Sequence, residues 1–312
     1  MSAMATAQRP DDSPGTGAPP LRAFAAVVPW VARVAWILIA VVGGAAIESA
    51  VDGRSTAVRW TAAITCWAVW AIVALALAIG STTTLTIARV GTPLALVAAG
   101  VTAVAGAPAV DVALLAAPGA LATLAVLSAD FGRRYVQASA YGDEQRFPLR
   151  APAAAGVAAV VAWALWAAAV TAGPLLLAAA QWMLGALVTL VAVGLTVVLV
   201  PRWHRLSRRW FVLVPAGAVV HDPVVLADTL ALRRAQIGLL RLAPADTGAA
   251  DLTGPASGYA VEVTTTESIT ALFAFTPREP NGRAIHLRAF LVAPSRPGEA
   301  LRAARDRGLP VT

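Results

Sequence analysis

The chain has 312 residues, of which 58% are apolar and 13% charged, with a mean hydropathy of +0.71. Soluble domains carry about 25% charge, so the composition excludes an ordinary soluble protein and places much of the chain in lipid. The net charge of +7 is carried by Arg alone, with no Lys anywhere, a bias that codon usage accounts for before any specific cationic task does.

Residues 1–23, beginning MSAMATAQRPDDSPGTGAPPL, are too rich in Pro, Gly, Ser and Ala to bury a core and read as a disordered tail. The apolar run that follows is too long for the h-region of a secretory signal and contains Arg33. Residues 24–200 then read as a transmembrane α-helical bundle of about six helices. A span needs about 20 apolar residues, and the candidates are 27–47, 60–80, 86–106, 109–128, 152–172 and 175–199. The third and fourth are parted by Gly106-Ala107-Pro108, the last two by a turn at Ala172-Gly173-Pro174. Cys66 is the lone cysteine and lies in an apolar segment, so it reads as a small hydrophobe, with no intrachain disulfide or zinc site available.

Six spans place both termini on one side. The loops on that side carry Arg9, Arg22, Arg89, Arg133, Arg134, Arg146, Arg150 and the cluster from Arg202 to Arg209, and the opposite loops only Arg54 and Arg59. The excess of Arg marks the cytoplasmic side, so both termini are expected there, in the cell membrane. Most of the ten Trp fall near span ends, as an interfacial belt does. No ionisable residue lies near the middle of a span, which argues against a proton relay or ion-coupled carrier. Gln181 is the most polar exception and is expected to hydrogen-bond a neighbouring helix.

The longest polar loop, residues 128–152, contains Asp143, Glu144, Arg146 and Arg150. These four could dock a partner protein, or their charges could pair with one another and with headgroups. As an acid–base pair the adjacent carboxylates lack the fixed, buried geometry that tunes such groups.

Residues 201–209, PRWHRLSRR, form a basic juxtamembrane linker. Arg202, Trp203, Arg205, Arg208, Arg209 and Trp210 are expected among anionic headgroups, where each Arg contributes about 1 kcal/mol. Beyond the linker, residues 210–312 change period to short β runs. WFVLVP and AVVHD flank a turn at Ala216-Gly217; YAVEVTT and AIHLRAFLVA alternate as half-buried antiparallel strands do. SRPGEALRAARDRG, with Ser295 as N-cap and a terminal Gly308, reads as one closing helix. The region 201–312 holds 14 Arg against 9 acidic residues, against 10 and 8 in the first 200, which fits a domain held near an anionic leaflet and not a nucleic-acid footprint. His221-Asp222 invites a catalytic reading, but no nucleophile elbow, phosphate-binding Gly loop or three-ligand metal spacing accompanies it. The pair reads instead as an edge-strand end followed by a turn, and no catalytic, cofactor or metal residue is assigned.

About seven strands closed by one C-terminal helix, attached to membrane spans, resemble the bacterial PH-like domain, and RRWFVLVPAGAVVHD is similar to its first hairpin. The whole chain also resembles six-span membrane proteins of actinobacteria. The resemblance implies protein or lipid binding and no catalysis. Phosphoinositide-binding PH domains carry basic residues at the first hairpin turn, which Pro215-Ala216-Gly217 lacks. Two functions follow: a membrane-anchored interaction or scaffold module with a cytoplasmic PH-like domain, or a transport or channel subunit whose six helices form a pathway regulated by that domain. Anionic headgroups and a protein partner are the expected contacts, without cofactor or nucleic acid.

Overall fold

In a bilayer every backbone polar group needs an internal partner, and a continuous apolar run meets that condition as a helix. The computed structural model describes residues 19–274 and 283–312, so most of the expected tail lies outside the described residues, as does the end of the run SITALFAFT. The apolar part folds as α1 (Pro19–Val42), α2 (Gly44–Val51), α3 (Thr56–Ala78), α4 (Thr82–Gly91), α5 (Leu94–Val104) and α6 (Ala109–Leu127). A short helix α7 (Ala129–Gln137) and a strand β1 (Gln145–Pro148) precede α8 (Ala153–Ala178) and α9 (Trp182–Ser207). Five stretches are long and apolar enough to cross a membrane: α3, Thr82–Val104, α6, α8 and α9. A sixth is added if α1 and α2, bent by 40°, count as one. Their outer surface is hydrocarbon, with Leu75, Val160, Leu190 and Val197 each more than 60% exposed.

Two of these stretches are interrupted. At Gly43 a Cβ would meet Ile39 O at 2.7 Å and Leu115 Cδ1 at 2.8 Å, so the glycine lets α6 press into the bend between α1 and α2. Between α4 and α5 only the hydrogen-bond ladder is interrupted, at Thr92-Pro93, where Pro93 supplies no N–H while both residues keep helical dihedrals, so Thr82–Val104 remains one stretch. The expected turn at Ala172-Gly173-Pro174 is corrected: α8 runs through Pro174 to Ala178, and the reversal falls at residues 179–181. Close packing explains why the proline is tolerated. Cβ atoms at Gly173 and Gly185 would collide with Thr189 Oγ1 at 2.6 Å and Leu177 N at 2.7 Å, so these glycines let α8 and α9 approach closely. Gln181 consequently sits exposed in the turn, not within a span.

The tryptophans divide. Trp30, Trp60, Trp67 and Trp182 are exposed on the outer surface. Trp36 and Trp70 instead donate reciprocally to each other's carbonyl oxygens at 3.0 Å and lock α1 to α3. Trp163 donates to Val90 O at 2.9 Å, beside the α4–α5 break. Trp166 donates to Thr196 Oγ1 at 2.8 Å and stacks edge-on with Trp203. An indole that satisfies a carbonyl or hydroxyl on the next helix is interior structure, which an interfacial belt does not describe.

The β region contains β2 (Trp210–Val214), β3 (Gly217–His221), β4 (Leu230–Arg233), β5 (Ile237–Leu242), β6 (Ala250–Asp251), β7 (Val261–Phe273) and β8 (Arg283–Val292), then helix α10 (Pro297–Asp306). One four-stranded sheet runs β1-β2-β3-β4 and is antiparallel throughout. The other runs β5-β7-β8-β6 and is mixed, because β6 pairs with β8 in parallel. The runs YAVEVTT and SITALFAFT join, over Val261–Phe273, into one long strand, β7, whose register shifts between Thr264 and Ile269. Phe147, Phe211, Leu240, Val263 and Phe290 fill a single core between the sheets, closed by Leu301 and Ala304 of α10. The first strand of this module comes from the segment between α7 and α8, and helices α8 and α9 separate it in sequence from the rest.

Candidate functional site

The functional question gathers at the seam where the helical bundle meets the β module. Three segments interleave there. Leu149 N donates to Arg209 O at 3.0 Å, Arg150 N to Ala293 O at 2.8 Å, and Ser295 N to Pro148 O at 2.8 Å. The chain leaving β1 toward α8 is thus held between the start of β2 and the end of β8.

Arg209 sits at the centre of this seam and is 1% exposed. Its Nε and Nη2 donate to Asp222 Oδ1 and Oδ2 at 2.7 and 2.6 Å, a bidentate fork. Nη1 donates to Arg150 O at 2.5 Å and Nη2 also to Thr253 O at 3.1 Å. Asp222 Oδ1 in turn accepts the backbone N–H groups of Val224 and Val225 at 3.1 and 3.2 Å, an Asx turn that fixes the carboxylate. Arg209 is therefore a buried clamp and no headgroup arginine. Trp203 is likewise buried, against Trp166. Arg202, Arg205 and Arg208 are exposed at the end of α9, and Arg205 donates to Pro223 O at 2.6 Å. Trp210 is half-buried, stacked on His221 with centroids 5.0 Å apart and covered by the Arg146 guanidinium at 5.2 Å.

His221 does end β3, but β3 lies between β2 and β4, so the expected edge strand is an inner one. Its Nδ1 meets Thr229 Oγ1 at 3.0 Å, while Nε2 is buried without a partner. Burial, then the nearby Arg208, pushes the imidazole below its ordinary pKa, with Asp222 opposing.

The loop residues Asp143, Glu144, Arg146 and Arg150 all have partners in the fold. Asp143 pairs with Arg307 at 2.6 Å and Glu144 with Arg146 at 2.6 Å. Gln137 holds the loop by donating to Glu144 O and accepting from Arg146 N, at 2.8 and 2.9 Å. Arg150 donates to Tyr259 O, and burial lowers its pKa. Around them α7 is tied to α10: Asp130 accepts a bidentate pair from Arg296 at 3.1 and 2.6 Å, and Arg133 pairs with Glu299. The other face of α7 belongs to the bundle, where Tyr135 Oη donates to Leu77 O at 2.7 Å. Arg33 Nε donates to the same oxygen at 2.8 Å, so both satisfy a carbonyl left open at the end of α3.

Beneath the seam lies a cavity of about 670 Å³, bounded by α4, α6, α8, α9 and residues 148–151. Arg89, Arg150 and Arg209 line it, and no Asp or Glu does. Sequence reading counts Arg89 among the cytoplasmic-side arginines at a span end, whereas its side chain lines this cavity with Nε buried. The signal that marks it, an Arg three residues before a Thr-Pro break in an apolar helix, acquires meaning only once α7 packs beside it. Among the described residues no cluster of three or more His, Cys, Asp or Glu is arranged to hold a metal ion. No family model matches the chain, and neither a curated protein nor a solved structure is similar to it at a significant level.

Proposed function

We propose that the chain is a multi-pass protein of the cell membrane that acts without catalysis, as an anchored interaction or scaffold module. In this reading both termini are cytoplasmic, the β module is PH-like, and it meets anionic headgroups and a protein partner at the cytoplasmic face. The observation that carries the reading is the seam. A buried Arg209–Asp222 fork, a borrowed strand and the ion pairs from α7 and the loop to α10 hold the β module against the end of the apolar bundle. Such rigid seating suits a platform that presents a surface at a fixed height above a bilayer. Arg202, Arg205 and Arg208 stand exposed at that height, where guanidinium groups attract lipid phosphates.

The test is a set of topology reporters joined with capture of the full-length chain. Reporters inserted at Gly142 and after Thr312 are expected to be active in the cytoplasm, and those at Gly53 and Gly106 to be translocated. The full chain, extracted in detergent, is expected to bring down a defined protein partner, and Leu242→Glu with Tyr259→Glu on the exposed end of the β5–β7 sheet is expected to weaken that capture. A translocated C-terminal reporter refutes the topology, and an intact chain that captures nothing refutes the scaffold. A transport subunit is the second reading, favoured by the broken helix α1–α2 packed on α6.

A further inference from the structure

Positive charge without a carboxylate partner lines the seam cavity, where Arg89 and Arg150 are half-buried. Arg209 is neutralised by Asp222, but no carboxylate pairs with Arg89 or Arg150 among the described residues. The Nε atoms of both are buried without a hydrogen-bond partner. The Arg89 side chain is also given room by the fold: a Cβ on Gly132 would lie 2.6 Å from its Nη2, so α7 carries a glycine where the guanidinium passes. A guanidinium withdrawn from water and left unpaired is costly. Arg89 comes nearest to this state, and together with Arg150, whose guanidinium already donates to Tyr259 O, it lines a cavity free of acidic side chains that favours an anion; the planar fork of Arg suits phosphate oxygens.

The cavity walls say which kind of phosphate fits. Away from the arginines the lining is mostly apolar, with Val90, Pro93, Leu127, Val160 and Trp163 beside the hydroxyl residues Thr86, Thr123, Ser207 and Ser295. Leu127 and Val160 are also 55% and 68% exposed on the outer surface of the bundle, so the apolar side opens laterally between α6 and α8. A phosphate carried on acyl chains matches both halves, head inward and chains leaving over the hydrocarbon surface. A free phosphate matches only one.

We propose that the seam cavity binds the phosphate head of an anionic lipid, with Arg89 as its principal cation and Arg150 as the second, and with the acyl chains passing over Leu127 and Val160. The proposal rests on the reading of the apolar helices as membrane spans, and not on the scaffold role. A lipid seated there touches α4, α8, α9 and the segment that leaves β1 toward α8, so it completes the packing between bundle and β module.

The experiment uses full-length protein, extracted in detergent and stripped of lipid, with native mass spectrometry after titration with phosphatidylglycerol, diacylglycerol of the same chains, or inorganic phosphate. Phosphatidylglycerol is expected to be retained, diacylglycerol not, and millimolar inorganic phosphate is expected not to displace the bound lipid. Arg89→Gln is expected to weaken phosphatidylglycerol binding by about tenfold or more, the scale of a lost charge-assisted contact. Arg288→Gln, exposed on β8, is expected to leave binding within about twofold, as remote surface charges do. Val160→Trp, a substitution on the outer surface that leaves the interior packing intact, closes the lateral mouth and is expected to act like Arg89→Gln; it decides the matter if Arg89→Gln does not fold. Equal loss in Arg89→Gln and Arg288→Gln, equal retention of diacylglycerol, or displacement by inorganic phosphate each overturns the proposal. Release of the wild-type chain from membranes by salt alone would instead refute the spans on which it rests.

Discussion

Arg209 and Asp222 are fully withdrawn from solvent, side chains included, yet they carry opposite full charges. Desolvating such a pair cancels much of its attraction, so the fork is weak evidence for net stability. What it does supply is position. Four segments that are distant in sequence, at residues 150, 209, 222 and 253, end on one guanidinium. The expected consequence is an asymmetry between single and paired substitutions. Asp222→Ala leaves a buried cation unpaired and is expected to destabilise the chain by about 3–5 kcal/mol, while Arg209→Met with Asp222→Leu is expected to cost clearly less than either single change. Chemical unfolding of the detergent-extracted protein, followed by tryptophan fluorescence, measures both. Single variants within about 1 kcal/mol of wild type would mean that water reaches the site.

At the scale of elements, the β2–β3 hairpin shows what local sequence determines and where it stops. WFVLV and GAVVH form the expected hairpin, with the turn one residue earlier than the sequence suggests, at Pro215-Ala216, so that Gly217 already pairs with Val214. Gly217 is needed for a reason that is not local: a Cβ there would lie 2.0 Å from Leu232 O, on the neighbouring strand β4. The same limit hid β1. Its four residues, QRFP, are too few for a periodic signal and carry a proline, and they become a strand because Phe147 enters the core beside Phe211. Helix α7 was more legible than the reading of a polar loop allowed, since Phe131, Tyr135 and Val136 recur at helical spacing and face the bundle core. The apolar spans were read from length and hydropathy alone, whereas the α8–α9 turn was misplaced because Pro174 outweighed the glycine packing that keeps the helix intact. Arg209 was indistinguishable from its three arginine neighbours until Asp222 arrived from the end of β3.

The hairpin also titrates. His221 at the end of β3 has a pKa held below its ordinary 6.5, chiefly by burial. The unfolded chain therefore binds a proton more readily than the folded one once the pH falls toward 6.5, and the stability that His221 contributes as a neutral ring is lost as the pH falls through that value and below. Melting temperature is expected to fall between pH 7.5 and 5.5, and to fall less steeply in His221→Asn. Parallel pH profiles for the two proteins would place the titration elsewhere, since other histidines are common to both.

For the molecule as a whole, the borrowed strand decides what can fold alone. Residues 208–312 contain seven of the eight strands and the closing helix, yet β2 in that fragment has no partner on its outer edge, and Phe147 is missing from the core. An unpaired edge next to an incomplete core favours self-association. The fragment is expected to aggregate, or to unfold without a cooperative transition. Placing residues 140–152 ahead of it, joined by a short flexible linker, should restore cooperativity, because residue 150 already lies beside residue 209 and Asp143 regains Arg307. The chimera omits α7 deliberately. That helix sets Phe131 and Tyr135 against the bundle, and in a fragment without the bundle those rings would be exposed. Full-length protein should remain more stable than the chimera, since the Asp130–Arg296 and Arg133–Glu299 pairs reach α10 only through α7. Size-exclusion profiles and thermal melts of the three proteins rank them. A monomeric, cooperatively folding 208–312 would show that the β module completes its fold without β1, and that the borrowed strand serves only to tie the module to the bundle.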